Sequence, residues 1–318
     1  DHRSDSQSEH YNHIENNDRS CVGQVMPICA SLKEFACGIH GSSFQEQRLL
    51  CNLSIFAPNL QRLSLCARLA PVPAQVFVTL SNYAHSLLSL HYIEEFHSLQ
   101  DNEQWFANNN NNNSSSSSSN NDNNDAQAPS QMAIERLFAR LEELTLHVHT
   151  LPAKLLARTM LLQQHDGSYR GLKKLDIKAY TVLDHMMTIF NQQEELEYLE
   201  AQQQYLVKTS NMPVQEQQRL EHLSLCNLPM TQGSYIARLY ELALQSMSSP
   251  QLDGNKKQEL GSFQLSPLFI SDELLFATVQ QFKSKHMGSL LKLVSIQVPH
   301  DISLAEHVFE NLIEHVPN

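Results

Sequence analysis

Glycine is scarce in this chain, with nine in 318 residues, and tryptophan occurs once. Backbone can approach a phosphate closely only where a side chain is missing, and neither a phosphate loop nor a dinucleotide fingerprint is present. No cofactor is therefore expected. Basic residues are also short: 22 Lys plus Arg face 34 Asp plus Glu, a net charge of −12. Such a field repels nucleic-acid backbones and anionic lipid surfaces, so neither is an expected partner. Long apolar runs are missing too, since no stretch approaches the roughly 18 residues of a membrane helix. The opening Asp1-His2-Arg3-Ser4-Asp5 is too polar for a targeting segment. The six cysteines lack CxxC spacing, although five fall between Cys21 and Cys66. Free thiols in a reducing compartment, cytoplasmic or nuclear, are the expectation. The chain opens without Met, which points to a processed product or a piece of a longer reading frame.

What is abundant is aliphatic. Apolar residues make up 41% of the chain and aromatics only 7%, enough for a sizeable core built mainly of leucine. Two segments fall outside it by composition. Residues 1–22 are rich in Asp, Ser, Asn and His and read as a disordered polar tail. The Asn- and Ser-rich run at 108–125 has neither helical nor strand period and reads as a disordered surface loop interrupting the folded region 23–318.

That region is organised by repetition of Leu-x-x-Leu-x-Leu. Clear copies begin at Leu60, Leu141, Leu172 and Leu220, and weaker ones at Leu32, Leu87, Leu196, Leu260 and Leu291. Apolar fourth and sixth positions alternating with polar third and fifth positions predict a short strand in each. Between copies the period becomes helical, predicting helices over Glu46–Phe56, Ala74–Ser86, Gln131–Leu141, Ala153–Leu162, Val182–Phe190, Tyr235–Gln245, Asp272–Lys285 and Leu304–His315. Ser271 before Asp272 and Glu273 resembles an N-cap with an acidic first turn. One strand–helix unit cannot cover its own apolar face, so the units must stack, with parallel strands on one side and helices on the other. The expected class is an α/β solenoid of about nine irregular repeats.

These copies resemble leucine-rich repeats of the ribonuclease-inhibitor type, particularly those following the F-box in fungal and protist ubiquitin-ligase receptors. The Asn or Cys that such repeats place after the strand is irregular here, and no F-box pattern precedes Leu32. The resemblance implies a concave strand face that recognises protein and no catalysis of its own. It also implies substrate recognition for an SCF-type ubiquitin ligase, with a Skp-type adaptor bound through an F-box outside this sequence. A non-ligase scaffold or regulator is the alternative within binding proteins.

With the leucines inward, third, fifth and seventh positions face outward. They supply the candidate protein-binding residues Arg62, Ser64, His91, Glu143, Thr145, His147, Lys174, Asp176, Lys178, Tyr198, Glu200, His222 and Ser224. Mixed charge with scattered His and Tyr suits a polypeptide better than a polyanion. Arg62, Tyr198 and His222 are the foremost candidates by residue type.

Other chemistry carries less weight. His147 and His149 share a strand face but lack a third metal ligand nearby, and His10 and His13 lie in the polar tail, so no metal site is expected. Cys66 and Cys226 occupy equivalent seventh positions and are the candidates of the enzyme alternative, which needs a positioned base and an oxyanion site. The carboxylate pairs Glu142–Glu143 and Glu194–Glu195 read as solvated rim charge. At the far end, Val316-Pro317-Asn318 parallels Ala57-Pro58-Asn59 before the Leu60 strand, which predicts a further copy beyond Asn318.

Overall fold

A computed structural model describes residues 28–40, 44–95, 129–165, 171–182, 220–248, 260–284 and 291–297. In chain order these form β1 (Glu34–Ile39), α1 (Phe44–Phe56), β2 (Arg62–Ala67), α2 (Ala74–Tyr83), β3 (Ser89–Glu94), α3 (Pro129–Arg140), β4 (Glu143–Leu151) and α4 (Ala153–His165). Then follow β5 (Lys174–Val182), β6 (His222–Cys226), β7 (Pro229–Met230), α5 (Tyr235–Ser248), β8 (Leu260–Ser266), β9 (Phe269–Ile270), α6 (Asp272–Ser284) and β10 (Leu291–Ile296). The polar tail, the Asn/Ser run and the predicted Leu304–His315 helix lie outside the described residues.

The fold is α/β. Eight strands form one sheet in the order β1-β2-β3-β4-β5-β6-β8-β10, with every neighbouring pair parallel. Registration follows the leucine pattern: Phe35, Leu63, Leu90, Leu144, Leu175, Leu223, Phe263 and Val294 run side by side across it. The backbone repeats with the same regularity. Gln61 and Arg62 N–H both donate to the Lys33 carbonyl, Leu88 and Ser89 to Gln61, and Glu142 and Glu143 to Leu88. The arrangement continues through Lys173, Lys174, Glu221, His222, Gly261 and Ser262, at 2.7–3.2 Å throughout. Each strand start is thereby anchored to the preceding one without side-chain help.

Parallel sheets usually bury both faces, but alternating strands permit only one to be apolar. Here Leu63, Leu65, Leu144, Leu146, Leu175, Ile177, Leu223 and Leu225 are each at most 1% exposed and join the helices in one continuous core. Phe77 meets Tyr92 edge-on at 5.6 Å between centroids, and Phe263 meets Phe282 at 5.1 Å. Helices pack in sequence order, each against the next. The opposite sheet face carries mostly polar side chains, with Ile93 and the exposed Leu293 among them.

Several expectations need correction. β5 pairs directly with β6, Leu175 opposite Leu223, giving eight strands in this sheet among the described residues, while the Leu196 copy lies outside them. Val182 belongs to β5, because its register partner Leu151 extends the ladder that far, and the rest of the predicted Val182–Phe190 helix lies outside the described residues. Ser271 precedes α6, and its carbonyl accepts the Leu275 N–H, but its buried hydroxyl has no partner and does not cap. Ser234 does act as a cap, its Oγ accepting the Ala237 N–H at 3.2 Å at the start of α5. Among the described residues no helix is long and apolar enough to cross a membrane.

Candidate protein-binding face

The open sheet face collects the outward positions of the strands in rows. The central row is Ala36, Ser64, His91, Thr145, Asp176, Ser224, Gln264 and Ser295. The row on the N-terminal side of each strand holds Glu34, Arg62, Ser89, Glu143, Lys174, His222 and Ser262 in register. His147, Lys178 and Cys226 adjoin on the other side. Thus Arg62, Ser64, His91, Glu143, Thr145, His147, Lys174, Asp176, Lys178, His222 and Ser224 share one surface, while Tyr198 and Glu200 lie outside the described residues.

Exposure on this face is less uniform than alternation predicts. Ser64, Asp176 and Ser224 are half-buried, and Thr145 is only 4% exposed. Thr145 sits on a central strand, with His91 and Asp176 opposite it on the two neighbouring strands and Glu143 and His147 on its own. Those larger side chains cover it, and its hydroxyl finds no hydrogen-bond partner. Ser89 is also buried, because its hydroxyl donates to Glu143 Oε2 at 2.8 Å.

Most of the polar groups are laced across strands. Arg62 pairs with Glu34. His147 Nε2 approaches Asp176 Oδ2 at 3.4 Å, and the Ser224 hydroxyl bonds the same carboxylate. Burial alone would raise the Asp176 carboxyl; these hydrogen bonds and the nearby His147 and Lys174 charges outweigh it and hold the group below its usual range. His91 is shifted the other way in charge, since burial and then Lys174 depress its imidazole and keep it neutral. His222 Nδ1 lies 3.1 Å from Ser262 Oγ, and its ring occupies the space above Gly261, where a Cβ would overlap it. Any larger residue at 261 would have to displace the His222 ring.

β4 and β5 are nine residues long and carry the face further than β6, which has five. At this extension the His149 and Tyr180 rings pack at 5.8 Å, with Tyr180 54% exposed. Beyond the last β3–β4 register pair, Ile93 opposite His147, the His149 N–H donates instead to Glu94 Oε2 at 2.6 Å. The other Glu94 oxygen accepts from the Tyr92 hydroxyl at 2.8 Å, which itself accepts the Val72 N–H at 3.0 Å. Burial raises the Glu94 carboxyl, against the two hydrogen bonds. Tyr180 was not among the residues expected at the face; its signal is the alternation that continues through His147-Val148-His149 and Lys178-Ala179-Tyr180.

The candidates for chemistry are engaged differently. Burial, then the Glu95 carboxylate, push the Cys66 thiol up, away from the thiolate a nucleophile needs. Cys226 lies 3.9 Å from the Ser224 hydroxyl. The five described cysteines, Cys29, Cys37, Cys51, Cys66 and Cys226, are unbridged. His147 turns to Asp176 and His149 to Tyr180, and among the described residues no three His, Cys, Asp or Glu side chains group to hold a metal ion.

No protein-family model, curated protein or solved structure matches this chain. The open face is thus interpreted from its own geometry.

Proposed function

We propose that this is a leucine-rich-repeat protein of the ribonuclease-inhibitor-like type that recognises another protein through the open face of its sheet. The supporting observation is the register: eight parallel strands align equivalent outward positions into rows. A surface made this way is long and rigid, and its residues vary freely because the leucines behind them maintain the fold. Mixed charge, imidazoles and an exposed tyrosine are the residue types that contribute most in protein interfaces. The resemblance to F-box receptors makes the role substrate recognition for an SCF-type ubiquitin ligase. Purification of the full-length protein from cells tests that role: co-purification of a Skp-type adaptor and a cullin is expected. Recovery of other partners without either would leave a scaffold or regulator of the same build. Recognition through the face is tested separately with Ser64→Arg, which should abolish partner recovery without altering thermal melting.

A further inference from the structure

Hydrogen-bonding groups on the open face are unequally engaged. Its carboxylates are occupied: Glu34 by Arg62, Glu143 by Ser89, Asp176 by His147 and Ser224, and Glu95 by Arg68 at 3.6 Å. Lys174 and Lys178 on β5, by contrast, make no hydrogen bond or ion pair among the described residues. Glu143 is the register partner of Lys174, yet its carboxylate is held from the other side by Ser89. Lys178 stands between His147 and Cys226, neither of which supplies an anion. Among the described residues, these two ammonium groups have no carboxylate bonded directly to them, although the Lys174 charge is felt by Asp176.

We infer that the face along β5 binds an acidic peptide segment, with carboxylates seated on Lys174 and Lys178. This deepens the proposed recognition role and rests on it. The two ammonium groups stand four residues apart on one strand face, a span of about 13 Å at the usual strand rise. An extended segment with acidic side chains four residues apart presents carboxylates to one side at the same spacing. The chain's net charge of −12 disfavours a long polyanion while leaving a short acidic segment free to use this local excess of donors.

The test measures fluorescence anisotropy of the full chain with labelled peptides of roughly ten residues. One carries two glutamates four apart in a neutral background, and a second carries lysines at the same places. The glutamate peptide should bind in preference, and Lys174→Glu/Lys178→Glu should weaken it by about tenfold or more while favouring the lysine peptide. Retained cooperative unfolding of the double variant separates this from misfolding. Failure of the glutamate peptide to bind, its indifference to the charge reversal, or equally tight binding of a single-stranded oligonucleotide would each overturn the inference. A partner lost with Ser64→Arg but retained by the charge-reversed variant would sink the acidic-peptide inference and leave recognition through the face standing.

Discussion

The two faces of the sheet are written by alternate residues of the same strands, yet they obey different rules. Inward, Leu63, Leu90, Leu144, Leu175 and Leu223 stand side by side and are all buried. Outward, the adjoining row reads Ser64, His91, Thr145, Asp176 and Ser224, with no two neighbours alike. Burial of apolar area is non-directional, so one residue type serves every position. Hydrogen bonds and charges are directional and pairwise, so each outward residue depends on which neighbour the register brings beside it. Repetition therefore maintains the fold, and variety is confined to the surface available for recognition.

The contrast is broken most strongly from the inward side. Leu223→Ala should cost about 2–5 kcal/mol, because a cavity between two neighbouring strands cannot collapse. Val294→Ala, the equivalent position on the edge strand β10, is only partly buried and should cost far less. Chemical denaturation of both variants checks the ratio, and equal losses would contradict the packing gradient. Tyr92→Phe should cost about 1–3 kcal/mol, since it removes the acceptor that Tyr92 offers the Val72 N–H and a donor from Glu94.

Outward substitutions should act through specific neighbours. Gly261→Ala forces the His222 ring aside, away from Ser262, and should cost at most about 1 kcal/mol. In His222→Ala the same change should be nearly silent, so a double-mutant cycle that proves additive would refute the close approach. Asp176 should reveal itself by pH. Its folded carboxyl lies below the usual 3.8, so its contribution is present above that value and is lost as pH falls through the lower folded value. Asp176→Asn should accordingly lower stability near neutral pH and flatten the loss on acidification, as read from urea midpoints across the acid range. Thr145→Val should have the smallest effect, within about 0.5 kcal/mol or slightly stabilising, because the hydroxyl removed is buried without a partner. A substantial fall in melting temperature would show that the hydroxyl is bonded in solution.

The strands were legible because alternation and register both depend on side-chain periodicity. The copies beginning at Leu32, Leu87, Leu260 and Leu291, weak as patterns, pair in the register their leucines predict. Helix positions were legible for the same reason, with ends displaced by a few residues where fraying and capping rather than periodicity decide. A six-residue pattern cannot report its neighbours, so the direct pairing of β5 with β6 was not readable from the copies; the Leu196 copy lies outside the described residues. Membership of the outward face was also readable for the eleven described candidates, and continued alternation would have added Tyr180.

By itself, the sequence determined which residues could be buried: leucine at every second strand position leaves one face apolar and the other polar, whatever the partners. Tertiary structure alone decided what each outward residue does. That Glu143 turns to Ser89, that Asp176 is held by His147 and Ser224, that the His222 ring lies over Gly261, and that Lys174 and Lys178 make no hydrogen bond or ion pair among the described residues all depend on atoms brought together from strands about 30 to 50 residues apart. Hydrophobic burial responds to a local period, whereas hydrogen bonds and ion pairs respond to distances of a few ångströms between segments that no local period specifies.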